Sequence, residues 1–125
     1  MTHIPVVARG LLALIFIAGG LNGFLLFMPV PQPLHPWLKL TMDSGMLYVP
    51  KTIELVGAAL LWTRYRALGL CLLWPIIVNI LLFHAFLDPR GLANGLVLVV
   101  LGIAAGVPER ARLKALVAPV RARTE

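Results

Sequence analysis

The side chains able to do chemistry in this chain are few and stand inside long apolar runs. Asn22, Lys51, Glu54, Asn79 and His84 are the candidate ligand-binding residues. Placing an Asp, Lys or Arg at the centre of a membrane helix costs about 2.5–3.5 kcal/mol, so a polar group kept there needs a partner or a task. Lys51 and Glu54 are three residues apart, on one helix face, and can neutralise each other. His84 and Asp88 are four apart, which lets the Asp88 carboxylate orient the imidazole. Lys51, Asn79 and His84 can supply the hydrogen bonds that a small lipophilic, quinone-like headgroup requires. Glu54 can carry a proton to or from such a ligand. The competing expectation has no ligand. The ion pair then fixes helix packing, and the asparagines are interhelical hydrogen bonds worth about 0.6 kcal/mol each. A third is an outer-face copper site built from His35, His84, Met28, Met42 and Met46, since thioether and imidazole suit Cu(I), although no ligand spacing is diagnostic. Asn79 and His84 stand about 140° apart around a helix. They share a narrow cleft only if the helix bends, and Pro75 is a source of a bend.

Four apolar segments must position these residues: about 6–28, 44–63, 67–87 and 91–107, followed by a basic interfacial tail over 108–125. Spanning a bilayer takes about 20 residues as a helix, and all four qualify. Backbone groups in lipid must be satisfied internally, which favours helices, and no alternating pattern suggests a β-barrel. Pro29, Pro31, Pro33 and Pro36 exclude helix from the first linker, and Asp43 or Ser44 caps the second helix. Arg64-Tyr65-Arg66 and Asp88-Pro89-Arg90-Gly91 are the remaining turns, short enough to make neighbours antiparallel. Pro50 either starts or kinks the second helix. The glycine pairs Gly19/Gly23 and Gly102/Gly106 allow close helix approach. Trp37, Tyr48, Trp62 and Tyr65 read as interfacial belt residues. The expectation is a single-domain, all-α integral membrane four-helix bundle.

Composition agrees. Only 13% of the 125 residues are charged and 60% are hydrophobic, against about 25% charged in soluble domains. That excludes an ordinary soluble domain and a disordered chain. The one cysteine, Cys71, leaves no disulfide framework and no paired-cysteine redox chemistry. The uncharged stretch 10–30 is longer than the apolar core of a signal peptide, so the first segment is read as a retained helix. Hydrolase, phosphate-binding and dinucleotide motifs are absent from the sequence. The net charge of +6 lies mostly in short segments between apolar runs, which points to lipid headgroups and topology rather than nucleic acid. With the N-terminus inside, the inner segments carry Arg9, Arg64, Arg66, Arg110, Arg112, Lys114, Arg121 and Arg123, against Lys39, Lys51 and Arg90 outside. Both termini are therefore expected in the cytoplasm, in a bacterial inner membrane. Every intramembrane polar residue then falls between midplane and outer surface, predicting an outward-facing polar pocket over an apolar floor. The expected partners are the bilayer and either a membrane subunit or a second copy.

The pattern resembles the DoxX family of small four-helix bacterial membrane proteins. Ala8-Arg9-Gly10-Leu11-Leu12 and Ile17-Ala18-Gly19-Gly20-Leu21-Asn22-Gly23-Phe24 carry the likeness in the first segment. Lys51-Thr52-Ile53-Glu54-Leu55-Val56-Gly57-Ala58-Ala59-Leu60-Leu61 resembles the family's E-x-x-G/A segment. Pro75-Ile76-Ile77-Val78-Asn79-Ile80-Leu81-Leu82-Phe83-His84, followed by Asp88-Pro89, resembles one branch of it. The resemblance spans about residues 6–107. It implies a redox-linked accessory role; one member type, DoxD, is a membrane subunit of a thiosulfate:quinone oxidoreductase. It adds Arg9 to the five candidate positions.

Overall fold

The computed structural model of the chain describes residues 3–29 and 32–119. Arg121 and Arg123 of the inward charge count, and Pro31 of the linker, lie outside the described residues. The regular elements described are helices: α1 (Ile4–Leu25), α2 (Pro36–Asp43), α3 (Tyr48–Leu60), α4 (Arg66–Phe86), α5 (Leu92–Gly106) and α6 (Arg110–Leu116). Single 3-10 turns at Pro89–Gly91 and Val107–Glu109 flank α5.

Three stretches are long and apolar enough to cross a membrane: Ile4–Leu25, Arg66–Phe86 and Pro89–Leu116. In each, only 28% of the most apolar window is buried inside the protein. Leu14, Val78, Leu82, Val100 and Ile103 point outward from them. Water would not tolerate so large an apolar surface on a monomer; this is the exterior of a membrane protein.

The second apolar segment departs from its expected bounds. It is helical only over Tyr48–Leu60, 13 residues, about 20 Å of rise against about 30 Å of hydrocarbon. Gly45 sits at φ +81°, a left-handed turn that ends one helix before the next begins. Asp43 and Ser44 do not cap α3. Asp43 closes α2, and Ser44 Oγ accepts from the Met46 amide within the turn. At the other end Thr63 Oγ1 donates to Leu60 O and accepts from the Tyr65 amide, which stops the helix.

The proline-rich linker also holds a helix that the prolines were expected to exclude. Pro36 is the first residue of α2, where its missing N–H is no loss, and His35 Nδ1 caps the turn by accepting from the Trp37 amide at 3.1 Å.

α1 packs on α3 and α5, and α4 packs on the same two, so these four helices close a ring. Neighbours run antiparallel. Gly10 stands against Trp62 while Gly23 stands against Lys51, and Gly91 faces His84 while Gly102 faces Trp74. In lipid, burying apolar surface gives little drive for helix association, so close packing must supply it. Small residues do this here: a Cβ on Gly69 would lie 2.8 Å from Gly57 O, which brings the α3 and α4 backbones into contact.

The packed core occupies one half of the ring. Leu12, Phe16, Leu61, Leu70, Leu73 and Ile77 are fully buried there, with Ala13, Ala58 and Ala105 between them. The other half, toward the ends of α1 and α4 and the starts of α3 and α5, is open.

Candidate functional site

A cavity of about 680 Å³ fills that open half. Asn22, Lys51, Glu54, Asn79 and His84 all line it. Ile76 and Leu98, which also belong to the packed core, form its apolar floor with Ile15.

Lys51 and Glu54 form the deepest polar feature. Lys51 Nζ lies 3.3 Å from Glu54 Oε2, with the two side chains 20% and 5% exposed. Pro50 stands in the first turn of α3, so it starts the helix rather than kinking it, and Lys51 follows directly. The pair fits against α1 because that face has no side chains. A Cβ on Gly23 would lie 2.4 Å from Lys51 Cγ, and one on Gly19 would touch Glu54 Oε2 at 3.6 Å.

Asn22 serves the end of α1. Its Oδ1 accepts from the Met28 amide at 2.7 Å, and its backbone carbonyl accepts from Leu26, which stands in the left-handed region at φ +53°. Among the described residues the Asn22 amide nitrogen has no protein acceptor.

Asn79 and His84 reach one cavity although they stand five residues apart. The cavity-lining face of α4 is Ile76, Asn79, Ile80, Phe83 and His84. Those positions make a stripe about 140° wide, and Asn79 and His84 are its two edges. Both line the same cavity, so the condition that a narrow cleft would set on the helix does not arise.

His84 is oriented differently from expectation. Its Nδ1 lies 2.9 Å from the backbone carbonyl of Asp88, not from the carboxylate. The Asp88 carboxylate instead takes Arg90 in a two-pronged pair, Oδ1 to Nε and Oδ2 to Nη2, both at 2.7 Å. That guanidinium holds the Asp88 carboxyl down at about 2. Arg90 Nη1 donates to Gln32 O at 3.1 Å, and Nη2 donates its second proton to Pro33 O at 2.9 Å. Arg90 thus clasps the first linker to the turn between α4 and α5.

The linker covers the chamber. Trp37, Leu38 and Thr41 of α2 line it, and Trp37 packs on Phe83 with ring centroids 5.3 Å apart. Trp37 was expected in an interfacial belt; its ring contributes to the chamber wall. Thr41, Phe83 and Asn94 are further lining residues outside the five candidate positions. For Asn94 the available signal was its place at the start of the fourth apolar segment, level with His84.

The opposite end of the ring holds the other charged cluster. Glu109, 5% exposed, pairs with Arg66 through one oxygen and with Arg112 through the other. Arg9 lies there too, its guanidinium 5.4 Å from the centre of the Trp62 ring, far from the chamber that holds the other five candidates. Glu109 was overlooked in the sequence; the signal was an acid directly after Pro108, at the head of an arginine-rich run. Among the described residues no group of three or more His, Cys, Asp or Glu side chains is placed to hold a metal ion.

No family model matches the chain, and neither a curated protein nor a solved structure matches it.

Proposed function

We propose that the chain is a DoxX-like protein of the bacterial cytoplasmic membrane, an accessory or redox-linked subunit that binds a small lipophilic, quinone-like molecule in the chamber. One observation carries this reading: a chamber of about 680 Å³, with an apolar floor, is ringed by Lys51, Glu54, Asn79 and His84. Ligand sites combine such volumes with a few convergent polar groups on mostly apolar walls. The surplus of Arg and Lys at the end away from the chamber supports a topology with both termini in the cytoplasm and the chamber facing outward. In that topology α3 makes the fourth crossing with its start sunk below the outer surface, and α2 lies over it at the interface.

The test is mass spectrometry of protein purified in mild detergent from its native membrane, with Glu54→Gln alongside. The expected result is a near-stoichiometric quinone-type molecule in wild type, depleted in the variant. Bulk lipid alone, identical in both, would overturn the proposal. It would favour a second reading, supported by the Lys51–Glu54 pair, in which the cluster only fixes helix packing in an accessory protein without a ligand.

A further inference from the structure

Hydrogen-bonding capacity around the chamber is unevenly occupied. Thr41 Oγ1 donates to Leu38 O, and Asn22 Oδ1 accepts from Met28. Lys51 gives one N–H to Glu54 Oε2, leaving two donors. The side-chain amides of Asn79 and Asn94 have no partner among the described residues and can turn either way.

Two lining groups differ from these: with Glu54 ionised against Lys51 and the His84 proton held on Nδ1, each offers the chamber only an acceptor. Glu54 uses Oε2 on Lys51, and Oε1 has no partner among the described residues. His84 Nδ1 faces a carbonyl, which cannot donate, so in the neutral imidazole the proton sits on Nδ1. Nε2 then carries a lone pair that no donor among the described residues meets. Neither group can turn away. Glu54 is 4% exposed and held between Lys51 and the glycine face of α1. The His84 ring fills the space of a Cβ at Gly91, 2.2 Å from its Cε1.

A quinone carbonyl accepts and cannot donate. Seated in the chamber, it satisfies Lys51 and Asn22 but covers Glu54 Oε1 and His84 Nε2 without a donor, and each acceptor left so costs roughly tenfold in affinity. A ring hydroxyl donates to either acceptor and still accepts from a neighbouring donor. Resting on the ligand reading above, we infer that the chamber selects the hydroxylated, reduced form of a quinone-type ring, a quinol or diphenol, over the oxidised form. The selection is one of binding and needs no electron transfer. Tenfold tighter binding of the reduced form raises the potential of the bound two-electron couple by about 30 mV, which makes the bound molecule easier to keep reduced.

The experiment is anaerobic titration calorimetry on the whole protein in detergent, with three probes: a short-chain benzoquinone, its hydroquinone, and the hydroquinone dimethyl ether. The ether keeps the ring and both oxygens but has no O–H. The expected result is hydroquinone binding at least tenfold tighter than the quinone and the ether alike. In His84→Phe, the quinone is expected to gain roughly tenfold, since no unmet imidazole acceptor is left beside it, while hydroquinone does not gain, a difference that general unfolding would not produce. Quinone or ether binding as tightly as hydroquinone would overturn the selection and leave the ligand reading standing. Failure of all three probes to bind wild-type protein would overturn the ligand reading and the selection with it. The three-probe comparison needs no variant, so a misfolded His84→Phe does not remove the test.

Discussion

The two ends of the helix ring carry charge in opposite ways. Around the chamber, every acid among the described residues is paired with a base two to four positions away: Lys39 with Asp43, Lys51 with Glu54, Asp88 with Arg90. That end is close to neutral. At the other end Arg9, Arg64, Arg66, Arg110, Arg112 and Lys114 face one acid, Glu109, whose pairing with Arg66 joins residues 43 apart. The difference shows two solutions to one constraint. Buried acid at either end is paired, Glu54 with Lys51 in the same turn and Glu109 with Arg112 three residues on and with Arg66 of another helix. Charge at a water–headgroup boundary needs no partner and can accumulate. The single acid at the basic end, buried between two of those arginines, ties the start of α4 to the turn before α6.

The largest effects should come from leaving half of a buried pair. Lys51→Met or Glu54→Leu alone is expected to cost about 3 kcal/mol, and the double variant close to nothing, because an uncompensated buried charge is worse than none. Equilibrium unfolding in mixed micelles measures the cycle; additive single costs would remove the distinction between the ends. Glu109→Ala is expected to cost less, about 2 kcal/mol, because Arg66 and Arg112 remain in reach of water. It should also release α6, seen as faster amide exchange over residues 110–116. Gly91→Ala is expected to cost roughly 1–2 kcal/mol by overpacking against the His84 ring, and ligand binding should fall with it in the calorimetric assay.

The Asp88–Arg90 clasp should respond to acid alone. The Asp88 carboxyl is depressed to about 2 in the folded chain, below its ordinary value of about 3.9. Its contribution is therefore complete above about pH 4 and is lost as the pH falls toward 2. Amide exchange of α2 should accelerate across that window in wild type and be fast throughout in Arg90→Ala. The smallest effect belongs to Lys39→Ala. Its pair with Asp43 is exposed on both sides, and no change in melting temperature is expected.

Much of this layout was legible in residue order, and the reasons mark where legibility stopped. Charge-free runs and the depth of Asn22, Lys51, Glu54, Asn79 and His84 follow from period and rise alone, so the concentration of polar groups toward one end could be read directly. What spacing could not supply was the choice among atoms at one position. Four residues separate His84 from Asp88 whether the imidazole meets the carboxylate or the carbonyl, and Arg90, two residues on, took the carboxylate. The prolines of the linker were read as breakers, whereas Pro36 begins α2; proline position within an element decides its meaning. The truncation of α3 depended on Gly45 and Thr63, short-range turn chemistry hidden within an apolar run. Glu109 was hidden because its partner Arg66 is remote in sequence.

The His84 ring lies where a side chain on Gly91 would have to be, and Lys51 lies where one on Gly23 would be. Among related sequences these positions should then change in concert. A chain that gains a side chain at 91 should trade histidine at 84 for something smaller, and one that fills 23 should shorten residue 51. Such paired exchanges would tell a reader of sequences alone which relatives keep the chamber and which have closed it.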